Sequence, residues 1–230
     1  MSSDRSVRRR ARRFLTYALH ETARDIDLER YRQAVESSAH FVDEYMPLVT
    51  GTRGSSPEAA KLALLDWALD QSPQDGLVLE FGVATGATLR AISAKKLPAH
   101  GFDSFEGLPE AWRGGFAEGA FAQDLPEVGG AELHRGWFED SLPEFLQSHP
   151  GSISFVHMDA DLYSSTKTIF DAAFDRFVPG TIIHFDEYFN YPGWQQHEHK
   201  AFREFLARYD GEAEYIGYNA LHEQVTVRLM

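Results

Sequence analysis

The 230-residue chain contains no cysteine. Disulfides and thiolate-bound zinc are therefore excluded, and any metal must rest on oxygen or imidazole. Basic residues are also scarce: 22 Lys and Arg stand against 35 Asp and Glu, a net charge of −13, which makes nucleic acid a poor partner. Those that exist crowd the start, as Arg5, Arg8, Arg9, Arg10, Arg12 and Arg13, and read as a frayed or amphipathic helix rather than a nucleic-acid arm. Arg12-Arg13 before Phe14-Leu15 has the look of a twin-arginine export signal, but His20, Glu21 and Arg24 break the apolar stretch that should follow. No apolar run approaches the ~18 residues of a membrane span, so the expectation is a cytoplasmic protein without a membrane partner. Internal repeats and low-complexity tracts are missing as well. The length fits one large domain with a small appendage.

What is present alternates in period. Positions from about Arg12 to Val49 mix charged and apolar residues in a helical rhythm, with Phe14, Ala18, Ile26, Tyr31, Val35, Phe41 and Tyr45 as expected inward positions. Residues 1–56 are read as a helical N-terminal cap. Ser56 is placed to cap a helix opened by Pro57, with Leu62, Leu65 and Leu69 on one face. Apolar bursts then fall at 77–81, 100–102, 132–134, 153–158 and 181–185, with helices expected near 88–96, 164–177 and 198–209. Short buried strands separated by helices predict an α/β fold, a parallel sheet covered on both faces, over 57–230. The segments 214–218 and 224–228 leave no room for a helix between them and predict an antiparallel hairpin. Ser104 to Gly130 has little periodicity; it reads as a lid or binding loop with Trp112, Phe116 and Phe121 as its apolar contacts, or else as a surface insertion.

Glu80-Phe-Gly-Val-Ala-Thr-Gly86 ends the first strand and precedes a helix. Gly82 and Gly86 allow a tight turn there and a close backbone approach to a ligand, so Glu80, Gly82, Val83, Ala84, Thr85 and Gly86 are candidate nucleoside contacts. The spacing is not the dinucleotide fingerprint, since Ala84 stands where a second glycine is expected. Asp103, about 20 residues on at the end of the second strand, is placed to accept hydrogen bonds from ribose hydroxyls, with Ser104 beside it. After the third strand, Trp137 and Phe138 either pack against an adenine ring or are ordinary core. The fourth strand ends in Asp159-Ala-Asp161 and the fifth in Asp186-Glu187. Carboxyl ends of neighbouring parallel strands meet at one crevice, so these four acids would crowd together and repel unless a cation or a shared proton intervened. A hard divalent ion such as Mg²⁺ is the simplest remedy. Asp161 and Glu187 could instead cap a following helix. His184, His197 and His199 lie near the same end as ligand, base or supporting residue, although a histidine beside a strand is more often structural. The run Tyr188 to Trp194 would wall an organic acceptor.

Through Glu80 to Gly86, Phe102-Asp-Ser-Phe-Glu-Gly-Leu-Pro109, Asp159-Ala-Asp-Leu-Tyr-Ser-Ser-Thr166 and Phe185-Asp-Glu-Tyr188, the chain resembles the class I S-adenosylmethionine-dependent methyltransferases. Within them it is similar to the macrocin O-methyltransferase-like group. The resemblance implies a Rossmann-like seven-stranded, mostly parallel sheet with an antiparallel C-terminal hairpin. It also implies Mg²⁺ at Asp159, Asp186 and Glu187, with Asp161 as a candidate base; a nearby histidine such as His184 is the other base the residues offer. The family usually has two aspartates where this chain has Asp186-Glu187, a departure that bears on metal dependence. The acceptors it implies are small-molecule hydroxyls, largely of sugars on secondary metabolites; a homo-oligomer is compatible. Three alternatives stay open: a metal-independent methyltransferase, a non-catalytic nucleoside-binding module, and a nicotinamide-dependent reductase, the last disfavoured by the glycine pattern.

Overall fold

The structure, a computed structural model, describes residues 26–230. The elements are α1 (Ile26–Tyr45), α2 (Pro57–Gln71), β1 (Leu77–Phe81), α3 (Ala87–Lys95), β2 (Ala99–Asp103), β3 (Ala131–Arg135), α4 (Phe138–Ser148), β4 (Ile153–Met158), α5 (Tyr163–Ala172), β5 (Ile182–Phe185), α6 (Glu198–Leu206), β6 (Ala213–Tyr218) and β7 (Val225–Leu229), with short 3₁₀ turns at Phe174–Arg176 and Trp194–Gln196. The strands form one sheet in the order β3-β2-β1-β4-β5-β7-β6. The pairs from β3 to β5 are parallel, and β7 is antiparallel to both β5 and β6. This is the α/β sheet and antiparallel hairpin that the residues predicted, in the seven-stranded Rossmann-like form that the resemblance implied.

Strand alternation builds two cores. Val78, Phe155 and Ile182 turn toward α2 and α3, where Leu65, Leu69 and Ile92 meet them. Leu79, Val156, Ile183 and Phe185 turn the other way, toward Leu142 and Phe145 of α4, Ile169 and Phe170 of α5, and Phe202 and Phe205 of α6. Both faces of β4 are buried along its whole length, which is why it reads as a continuous apolar run. The order reverses at β1, with β2 on one side and β4 on the other. A topological switch point of this kind opens a crevice at the carboxyl ends of the strands.

Ser56 caps α2 as expected: its hydroxyl accepts from the Ala59 amide at 3.1 Å, with Pro57 in the first turn. Three sequence expectations need correction. In α1, Ile26, Tyr31, Val35 and Tyr45 are exposed, and the buried positions are Ala34, Ser38 and Phe41. Phe41 meets Tyr188, Trp194 and Tyr215, while Ser38 accepts from the Asn190 amide and Ser37 from the Trp194 indole. Phe41, as expected, anchors this contact, but small and polar residues complete it, so a search for large apolar residues alone misplaces most of the face. In α2, Leu62 is exposed and Leu64 takes the buried place beside Leu65. Helix α4 was not foreseen. Pro143 inside it hides its helical rhythm. Phe14, Ala18 and the arginine cluster lie outside the described residues.

Candidate active site

Backbone hydrogen bonds align the strand tips. The Gly82 amide donates to the Phe102 carbonyl, the Asp159 amide to Phe81, and the Asp186 amide to Met158. The turns after β1, β4 and β5 thus open side by side onto a cavity of about 850 Å³. Gly82 adopts φ +90°, and a Cβ there would collide with the Asp159 carbonyl oxygen. Glycine at that position is what lets the first and fourth strand tips touch. Ala84 is held at φ +45°. Asp103 fixes the turn: its Oδ2 accepts from the Val83 and Ala84 amides at 2.9 Å each, and its Oδ1 from the Phe105 amide at 2.7 Å.

Gly82, Ala84, Asp103, Ser104, Trp137 and Phe138 line the cavity. Trp137 and Phe138 stand at the start of α4, and Phe138 meets Phe81 edge-on at 5.5 Å, so Phe138 serves both cavity wall and core. Other candidates lie elsewhere. Val83 is buried in the core beneath the turn. Thr85 is exposed, its carbonyl taken by Arg90, and Gly86 packs under Val128 and Pro126. Glu80 is fully buried and receives the His157 Nδ1 at 2.8 Å.

Asp159, Asp161, Asp186 and Glu187 all reach the cavity wall. Oxygens of Asp159, Asp161 and Glu187 lie within 4.8 Å of one another. Burial, and after it the repulsion from Asp186, pushes Asp159 up to about 7. Asp161 is raised well above the carboxylate range by burial and Asp159, and Glu187 by burial and Asp186. Glu187 Oε2 is buried without a hydrogen-bond partner among the described residues. Three acids that repel, with an orphaned oxygen among them, fit a hard divalent cation. Asp161 does not cap a helix; it sits at φ +60° facing the cavity.

Asp186 belongs to a different set. Its Oδ2 accepts from Lys61 Nζ at 2.6 Å, and its Oδ1 lies 3.5 Å from His157 Nε2. Burial would raise its pKa, but His157 and Lys61 together hold it well below the carboxylate range. His157 is likewise carried up to about 10 by Asp186 and Glu80 against the desolvation that would lower it. Glu80, His157, Asp186 and Lys61 therefore form an alternating chain of charge from beneath the glycine turn to the cavity wall. Sequence reasoning missed Lys61 and His157. Lys61 lies in α2 more than a hundred residues from its partner, and His157 sits inside an apolar strand.

His184 is not on the cavity wall. It is fully buried in β5, its Nδ1 pairs with Thr226 Oγ1 at 2.9 Å, and burial lowers it to about 3; a neutral imidazole inside the sheet has no path to a substrate proton. His197 and His199 also fail to line the cavity. His197 packs near the rings of Trp112 and Tyr191, and His199 against Phe41 and Trp194. Glu198 is a further residue the sequence reading passed over. Fully buried, it accepts from the Ala160 and Glu187 amides and pins the fourth and fifth strand turns together.

The segment from Ser104 to Gly130 folds over the cavity. Leu108 exchanges backbone hydrogen bonds with Gly119 and Ala120, and Phe116 stacks on Phe121 at 5.2 Å. Glu110 accepts from Ser164 Oγ at 2.6 Å on one side. On the other, Arg113 makes a two-pronged pair with Glu223, 3.0 Å to each oxygen, and lies over Trp112 and Tyr191. Trp112, Phe116 and Phe121 all line the cavity, so the segment is its roof.

Residues 79–188 match a family described as a methyltransferase domain. No curated protein matches the chain. Among solved structures, it is similar to CalS11, a calicheamicin methyltransferase, at 22% identity over 73% of this chain and 77% of that one, TM-score 0.60. It is also similar to the O-methyltransferase NovP, at 20% identity over 74% and 80%, TM-score 0.56. The matched span runs from β1 through the turn after β5, taking in both the glycine turn and all four acids. Residues 79–188 thus resemble a methyltransferase domain, and the chain shares the fold of these solved structures.

Proposed function

We propose that the protein transfers the methyl group of S-adenosylmethionine to a hydroxyl of a small molecule, a sugar or secondary metabolite, with a divalent cation held in the acidic pole. The observation that carries this is the convergence of Asp159, Asp161 and Glu187 at the end of the same cavity that the Gly82 turn and Asp103 line. CalS11 has been described as a TDP-rhamnose 3′-O-methyltransferase, which supports a glycosyl hydroxyl as the acceptor class.

In this reading Asp103, with three amides already on its carboxylate, still has lone pairs for a ribose hydroxyl, and Trp137 and Phe138 flank the base. S-adenosylmethionine supplies an electrophilic methyl group, and a bound cation would lower the pKa of the acceptor hydroxyl. Asp159 and Glu187 are the ligands on this chain. Asp161, in the same cluster and facing the cavity, takes the hydroxyl proton. Asp186, tied to Lys61 and His157, orients the pole rather than serving as third ligand. The roof of Trp112, Phe116 and Phe121 excludes water and holds acceptor and donor about 3 Å apart. Trp112 Nε1 is buried without a partner among the described residues, a donor available to a polar acceptor.

The test is calorimetry with S-adenosylmethionine, then a screen of hydroxylated sugars with and without Mg²⁺ and excess chelator. Methylation lost in chelator and in Asp159→Ala, with cofactor binding retained, is the expected result. A metal-independent variant of the same chemistry draws support from one observation: Lys61 already brings a cation to Asp186. Activity unchanged in chelator would favour it.

A further inference from the structure

A second cluster of potential ligands stands away from this cavity, on the face of β2 and β3 that α4 covers. The register pairs His100 with Glu132 and Phe102 with His134. His100, Glu132 and His134 therefore project from the same side of the sheet, since side chains alternate along each strand. His100 Nδ1 faces His134 Nε2 at 3.2 Å, and Glu132 Oε2 lies 3.8 Å from the same Nδ1. One potential ligand atom from each of the three residues falls within 4.8 Å of the others. Two nitrogens bound tetrahedrally at 2.0–2.1 Å stand about 3.3 Å apart, so the imidazoles are already at ligand spacing.

We propose that His100, Glu132 and His134 form a second metal site, selective for a borderline ion of the zinc, nickel or copper type. Two imidazoles and one carboxylate suit these ions, whereas the all-oxygen pole of the cavity suits Mg²⁺. The arrangement is accessible. His100 is buried, His134 is partly exposed, and Glu132 stands in solvent, leaving a fourth position for water. The site has a mechanical consequence. β3 is an edge strand, paired on one side only among the described residues, and it leads directly into Gly136 and Trp137 on the cavity wall. An ion bridging β2 and β3 would tie down the strand that carries that wall.

Copper provides the test, because its paramagnetic resonance spectrum reports nitrogen ligands and distinguishes this site from the oxygen-only pole. The whole protein titrated with Cu²⁺ should give a signal split by two imidazole nitrogens, preserved in Asp159→Asn. His134→Gln should abolish that splitting. Glu132→Gln changes only an exposed side chain and so keeps the test independent of folding; it should weaken binding by at least the roughly 10–100-fold that outer-shell changes cost. Zn²⁺ should raise the melting temperature of the wild type more than that of either variant. Two-nitrogen splitting that survives His134→Gln would place the ion on another set of histidines, such as His157 and His184 or a set including His149 beside His100, and overturn the proposal. Affinity unchanged in Glu132→Gln, or a wild-type spectrum without nitrogen splitting, would equally overturn the proposal.

Discussion

Lys61 Nζ lies 2.6 Å from Asp186 Oδ2, joining the second helix to the tip of the fifth strand. The pair is largely withdrawn from solvent, with side-chain exposures of 19% and 4%, and among the described residues His157 is the other charged neighbour of opposite sign to Asp186. Removing the lysine leaves a buried carboxylate beside three other acids. Lys61→Gln should therefore lower stability by about 2–4 kcal/mol, near the cost of breaking a buried pair, as read from urea unfolding. Mg²⁺ should restore part of that loss if the pole binds it. A loss below about 0.5 kcal/mol, the range of ordinary surface changes, would mean that solvent already screens the pair.

The elevated acids set a pH dependence whose sign follows from Asp159. Its ordinary value is 3.8, and burial with Asp186 repulsion carries it to about 7. Between those values the folded chain holds a proton that the unfolded chain has released. The stability Asp159 contributes is thus complete below its unfolded value and is lost as pH rises through about 7. His157, carried to about 10, adds a loss of the same sign only above its unfolded value of 6.5. The stability difference between wild type and Asp159→Asn should consequently fall between pH values of about 4 and 7 in parallel urea titrations. Parallel curves across that window would show that Asp159 ionises normally in the folded protein.

Gly82 offers a conformational test. Its φ of +90° and the Asp159 carbonyl in the space of a Cβ make Gly82→Ala both strained and obstructed. A loss of at least about 3 kcal/mol is expected, more than the strain of a disfavoured backbone region alone, together with weaker S-adenosylmethionine binding by calorimetry. Gly114, in the roof, has open space around its Cβ position and no positive φ. Gly114→Ala should change stability by no more than about 0.5 kcal/mol. Equal behaviour of the two variants would remove the close approach of the first and fourth strand tips from the account.

The alternation of apolar bursts and helices carried the sheet, because β4 and β5 are buried on both faces and announce themselves as runs. The four acids were legible for the same reason: each follows directly on a recognisable strand, and parallel strands deliver their ends to one place. The partners of those acids were not. Lys61, Glu198 and His157 act through contacts that no local period encodes, and His184 looked available only because sequence does not reveal burial. Glu80 and Asp103 read as ligand contacts. The structure gives Asp103 the work of holding the turn as well, and puts Glu80 beneath it with His157. Helix α4 was hidden by its internal proline, and the contact face of α1 by its serines.

The roof depends on Arg113. Its guanidinium makes two 3.0 Å contacts with Glu223 and stacks 4.0 Å from the Trp112 ring centre, so one side chain fixes both the hairpin contact and the aromatic wall. Arg113→Met keeps the bulk of the side chain and removes the charge. Glu223, with a side chain only 9% exposed, is then left unpaired, at a cost of about 3 kcal/mol. The double variant Arg113→Met with Glu223→Gln should recover part of that loss, because the orphaned charge has gone. Neither change touches the glycine turn, so S-adenosylmethionine affinity should stay within about twofold, a few tenths of a kcal/mol. Acceptor KM should rise in both variants, and limited proteolysis should cut between residues 104 and 130 faster than in the wild type. Loss of cofactor affinity in step with acceptor affinity would instead mean that Arg113 supports the whole cavity, and that the roof is not a separately anchored element.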